Sequence, residues 1–165
     1  MKLRAPSFLL NISMAVAALI AIGSLMGSRA YALAGDDGVV KVRSAYGFDE
    51  TIERLKADIE KKGIKFFLAV DQSSLGASAG IKLKPSTLLI FGNPPLGIQF
   101  LTSNPDSGLD WPVRLLVRED DGGQVWAVYT DFAWIAKRHG ITDRTAQFKM
   151  ASDVIASITS SVASK

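Results

Sequence analysis

His139 is the only histidine in the chain, and there is no cysteine, so few side chains can do chemistry near neutral pH. A cysteine nucleophile, a thiolate zinc site, an iron–sulfur cluster and a disulfide are all excluded. A metal site built from two histidines would need a second chain. What remains is acid–base work by His139 with a carboxylate, for which Asp110 and Glu119 are the candidates. The same histidine also has a mechanical reading. Lys137-Arg138-His139-Gly140 sets three potential cations at a helix C-terminus ahead of a capping glycine, an order that suits the helix dipole.

Three other patterns touch on chemistry. Gly76-Ala77-Ser78-Ala79-Gly80 matches G-x-S-x-G, but Ile81-Lys82-Leu83-Lys84-Pro85 follows where a nucleophile elbow needs a helix. Glu119-Asp120-Asp121 lacks the D-x-D-x-D-G spacing of a calcium loop and reads as a hairpin turn with Gly122-Gly123. Gly92-Asn93-Pro94 ends an apolar run abruptly, frees backbone N–H groups and offers Asn93 as donor and acceptor. It serves either as a binding turn or as a plain structural one. Trp111, Trp126 and Trp134 line a pocket or fill a core. There is no P-loop or dinucleotide fingerprint, and no cofactor is indicated.

The elements that must position these residues follow from periodicity. Val39–Tyr46 reads as a strand. Asp49 is placed to cap a helix running to about Lys62, with Ile52, Leu55 and Ile59 on one face and Gly63 as a left-handed C-cap. Ile64–Asp71 reads as a strand with Ile64, Phe66, Leu68 and Val70 on one face and Phe67 and Ala69 on the other. Gln72–Gly80 is a loop or short helix, and Thr87–Phe91 a central strand. Leu96–Ser103 is a short helix. Pro112–Glu119 and Gln124–Thr130 form a hairpin. Asp131–His139 is a short helix, and Thr142–Ser161 a longer one with Phe148, Ala151, Ile155, Ile158 and Val162 on one stripe. The order β-α-β-β-β-β-α predicts an α+β fold with a mainly antiparallel sheet.

Residues 1–34 read as an address. They hold no acid, begin with Lys2 and Arg4, continue through the apolar stretch Phe8–Met26 and end at Ala32-Leu33-Ala34. This is the layout of a cleaved signal peptide, with the domain at 35–165, exported and most simply periplasmic. The alternative is an uncleaved anchor through residues 8–26, the only membrane association the sequence suggests. The chain has 19 Lys and Arg against 16 Asp and Glu, a net charge of +3. Lys2, Arg4 and Arg29 supply that whole excess, so residues 35–165 carry as many anions as cations. A neutral domain is a poor nonspecific nucleic-acid binder.

Phe91-Gly92-Asn93-Pro94, Trp111-Pro112-Val113-Arg114-Leu115, Tyr129 and Ala136-Lys137-Arg138-His139 together resemble the domain of unknown function 302 family, over about Val39 to Gly140. Lys62-Gly63 and Ala79–Pro85 fit the same pattern. The resemblance implies a single compact α+β domain similar to the TATA-binding-protein-like class, often dimeric, with no established reaction. The turn Gly92-Asn93-Pro94, with its freed N–H groups and the Asn93 amide, is the expected ligand site, and the resemblance implies Asp110, Arg114, Tyr129 and His139 near it. The family often has histidine where this chain has Gln72, which cannot accept a proton at neutral pH. The expectation is a binding module for a small ligand or a partner. The alternatives are a small hydrolase-like enzyme using His139, and a structural homodimer in which the last helix's apolar stripe meets a partner.

Overall fold

A computed structural model describes residues 36–163. The proposed signal segment lies outside the described residues. Five antiparallel strands, β1 (Val39–Arg43), β2 (Lys65–Asp71), β3 (Ser86–Gly92), β4 (Val113–Glu119) and β5 (Val125–Thr130), form one sheet in the order β1-β5-β4-β3-β2. Between them run α1 (Phe48–Lys61), α2 (Gln72–Ser78), α3 (Pro94–Ser103), a 3-10 turn (Pro105–Leu109), α4 (Phe132–Arg138) and α5 (Thr145–Ser160). The α+β class and the order of strands and helices follow the sequence reading. β3 is an interior strand as expected, paired with β2 on one side and β4 on the other.

Local chemistry accounts for most boundaries. α1 is N-capped by Gly47, with Asp49 and Glu50 in its first turn, so Asp49 favours the dipole rather than capping. Gly63 follows with φ 66°, the left-handed position a C-cap needs. Asp71 caps α2 and Asp131 caps α4, each accepting the N–H three residues on. Pro94 and Pro95 occupy the first turn of α3, where a missing N–H costs nothing. Asp120 closes the hairpin by accepting from the N–H groups of Gly122 and Gln124.

One face of the sheet packs under α1 and α5. Leu89, Leu115, Val117 and Ala127 are buried there against Leu55 and Ile59 of α1 and Phe148, Ile155 and Ile158 of α5. The apolar stripe of the last helix is therefore spent in the chain's own core rather than on a partner. Phe148 stacks on Phe100 of α3 at 4.1 Å between ring centres, joining α3 to α5.

β2 departs from the expected alternation. The pairing with β3 shifts between Phe66 and Leu68, leaving Phe67 as an extra residue. Phe66 and Ala69 therefore face Phe91 and Leu89 on the core side, while Leu68 and Val70 face Ile90 and Leu88 on the other. Ile64, Phe66, Leu68 and Val70 do not share a face, because a bulge resets the period of two. Beyond it, a continuous apolar row of Val70, Leu88, Leu116 and Val128 crosses four strands on the sheet face opposite the core. These four are half-buried, and Leu68 beside them is 47% exposed.

Candidate functional site

The turn at the end of β3 opens onto a cavity of about 680 Å3. Its walls come from the end of β3, from α3, from the outer half of α5 and from Lys62 and Ile64 between α1 and β2. Apolar side chains dominate, among them Phe91, Leu96, Phe100, Trp111, Phe132 and Ile155. The polar groups are few and sit on different elements: Asn93, Lys62, Lys149, Asp153 and Ser157. Lys149 pairs with Asp153 at 2.7 Å and Lys62 with Asp58, so both cations already have partners.

Sequence explains why the cavity exists here. Gly92 and Gly97 both abut the Trp111 indole, and at Gly97 a side chain would not fit. A Cβ on Gly97 would lie 1.8 Å from Trp111 Nε1, and one on Gly92 would lie 3.2 Å away. The indole thus lies flat across the end of β3 and the first turns of α3, as one wall of the cavity. Asn93 caps α3 through its carbonyl, which accepts the N–H of Leu96 and Gly97. Its side chain makes no capping bond and is exposed. Gly92 and Asn93 line the cavity directly, whereas Pro94 serves to start the helix.

Asp110, Arg114 and His139 form a second cluster outside that cavity. His139 Nε2 lies 2.7 Å from the Asp110 carboxylate, with the two side chains 6% and 3% exposed. Arg114 donates to the same carboxylate at 2.9 Å, and Arg138, which the sequence reading took as a helix-end cation rather than a site residue, approaches it at 3.2 Å. α4 supplies Arg138 and His139, the 3-10 turn ends at Asp110, and β4 brings Arg114. Asn104 holds the His139 carbonyl at 2.9 Å and so ties the end of α3 to the end of α4. The recess beside Asp110 and Arg114 has a volume of only about 10 Å3, enough for one water and no substrate. His139 thus has the carboxylate that acid–base work requires, but its ring is 6% exposed and lines neither the large cavity nor this recess.

The remaining candidates lie elsewhere. Glu119 is at the far end of β4, about 20 Å along the strand from Val113, and its N–H binds the Pro85 carbonyl. Tyr129 packs against the core, where burial and then the Asp131 charge push its hydroxyl above the ordinary tyrosine range. Ser78 ends α2 and donates to the Ser74 carbonyl at 3.0 Å, so it is no elbow nucleophile. Gln72 accepts from the Ser86 hydroxyl at 2.7 Å. Of the tryptophans, Trp111 alone lines the cavity. Trp126 donates to Asp120 at 2.7 Å, a bond that leads the others in holding that carboxyl below its usual range. Trp134 lies beneath the Arg138 guanidinium.

Sequence reasoning missed Gly97, whose role depends on Trp111 fourteen residues away, and Ser107. The Ser107 hydroxyl is buried and has no hydrogen-bond partner among the described residues. No sequence signal marks it.

Curated relatives share part of this chain. It is 41% identical over 106 residues to proteins named fluoride-specific ion channel FluC 1 from Brucella suis and Brucella abortus, a stretch covering 64% of this chain. That stretch spans 42% of the Brucella suis protein and 39% of the Brucella abortus one. Among solved structures, an uncharacterized conserved protein DUF302 from Bacillus stearothermophilus superposes with a TM-score of 0.69. The superposition covers 76% of this chain and 98% of that one at 17% identity, a likeness of fold alone. Residues 40–162 match the family described as domain of unknown function DUF302, including the last helix, which the sequence resemblance had not reached; the chain belongs to that family.

Proposed function

We propose that the chain is an exported small-ligand binding module whose ligand is an apolar molecule held between α3, α5 and the Gly92-Asn93 turn. The observation that carries this reading is the cavity. Its volume falls within the roughly 300–1,000 Å3 of small-molecule sites, its walls are mostly apolar, and its polar groups are few and separated. An enzymatic reading through His139 finds no comparable support, because its ring is 6% exposed and lines neither the large cavity nor the recess beside Asp110. The channel name of the Brucella relatives belongs to proteins more than twice as long as the stretch they share with this chain. Among the described residues no helix is long and apolar enough to cross a membrane.

The test uses a neutral fluorescent probe, N-phenyl-1-naphthylamine, titrated into the protein. Saturable binding at one site is expected. Val154→Phe, which fills the cavity from α5, should abolish it while the fold is retained by circular dichroism. Equal binding by the folded variant would overturn the proposal.

A second reading has its own observation. The apolar row Val70-Leu88-Leu116-Val128 on the sheet face opposite the core favours pairing with a second copy of the domain. Sedimentation should then show a dimer that Leu116→Lys converts to a monomer. A monomeric wild-type protein would sink the idea.

A further inference from the structure

We infer that Arg114 and Arg138 form a receptor for a small oxyanion, a carboxylate or phosphate group, on the surface between the start of β4 and the end of α4. None of these residues lines the apolar cavity, so the inference stands apart from the ligand proposed for it.

The argument begins with charge. Two guanidinium groups converge on one carboxylate, at 2.9 and 3.2 Å. Asp110 neutralises one of them. The carbonyls ending α4 are already taken, by the N–H groups of His139, Gly140 and Ile141 and by the Asn104 amide, so they add little to that neutralisation. A positive remainder persists even with His139 neutral, and neither arginine pairs with a second acid among the described residues. The other ion pairs differ. Arg54 has Glu50 and Arg144 has Asp143, one acid to each cation.

Geometry supplies the rest. Asp110 is 3% exposed and fixed from behind by His139, while Arg114 and Arg138 are 49% and 44% exposed. Each spends few of its N–H groups on Asp110, so the remainder face solvent. Arg138 is also steadied over the Trp134 ring, 5.5 Å from its centre. The two forks are therefore ordered side by side before any ligand arrives, which removes much of the entropic cost of binding. Planar forks of this kind match the paired oxygens of carboxylate and phosphate. The small recess behind them is too narrow for the anion, which must bind on the outer face.

The anion could be free or the acid group of a larger molecule, so the experiment compares inorganic phosphate with a monoalkyl phosphate at constant ionic strength. Calorimetric titration of the wild-type protein should show saturable binding of inorganic phosphate. Arg114→Gln and Arg138→Gln should each weaken it about tenfold or more, the loss of one charge-assisted contact. Arg54→Gln should leave it unchanged. Equal affinities for the two phosphates would mark a free anion, and tighter alkyl phosphate binding an acid-bearing apolar molecule. Arg114→Lys and Arg138→Lys keep the charge and lose the fork, so they serve if a glutamine variant fails to fold, and weakened binding is again expected. Absent saturation in the wild-type protein, or unchanged affinity in folded variants at both arginines, would overturn the inference.

Discussion

Single side chains carry three separable predictions. Asp110 is the shared acceptor of one histidine and two arginines, and it lies almost wholly buried. Asp110→Ala should cost about 1–3 kcal/mol in chemical denaturation, because it leaves the buried His139 ring without its partner, while the half-exposed arginines turn to water. Ser107 points the opposite way. Its buried hydroxyl has no partner among the described residues, so Ser107→Ala should raise stability by about 1 kcal/mol. A loss instead would mean that the hydroxyl is satisfied in solution. Asp71 sets a pH dependence. The Ser74 hydroxyl, then the Ser74 N–H and the Ser73 hydroxyl, hold its carboxyl down from 3.8 to about 2. A carboxyl depressed on folding contributes its stability above 3.8 and loses it as pH falls toward 2. The gap in melting temperature between wild-type protein and Asp71→Asn should therefore be constant near neutrality and close over that acid window. A gap independent of pH would contradict the assignment.

Elements show where local sequence suffices and where it does not. The last helix was legible because Phe148, Ala151, Ile155 and Ile158 recur with helical spacing, and all four are buried. The hairpin was legible because Asp120 and Gly122 carry its turn chemistry. β2 was not, because an extra residue at Phe67 switches the face of everything after it, and a bulge has no signature in alternation alone. The binding turn was half legible. Gly92-Asn93-Pro94 marked the place, but the volume beside it depends on α5 and Trp111, which only folding brings near. The resemblance placed Asp110, Arg114, Tyr129 and His139 near the turn; Asp110, Arg114 and His139 do meet one another, next to Trp111, though none of the four lines the cavity. Gly97→Ala tests the linkage between α3 and the cavity. Its Cβ must displace the Trp111 indole, so a cost of about 1–3 kcal/mol and a shift in tryptophan emission are expected. Phe148→Ala, which removes the stack on Phe100, should cost about 3–5 kcal/mol.

At the scale of the whole molecule, charge, export and binding form one account. The basic excess belongs to residues 1–34, and the domain beyond them is neutral overall. If that segment is an address, mass spectrometry of protein from the periplasmic fraction should find a chain beginning at Gly35. An intact chain in the membrane fraction would favour the anchor. What the described domain offers its surroundings is the exposed Arg114–Arg138 pair and an apolar cavity between α3 and α5. The chamber is the central claim, and a crystal structure of the protein with N-phenyl-1-naphthylamine tests it most directly. The account predicts the probe's electron density against Trp111, Gly92 and Leu96, with the Arg114–Asp110–His139 cluster undisturbed. Density confined to the outer sheet face, or a chamber closed by its own side chains, would contradict it.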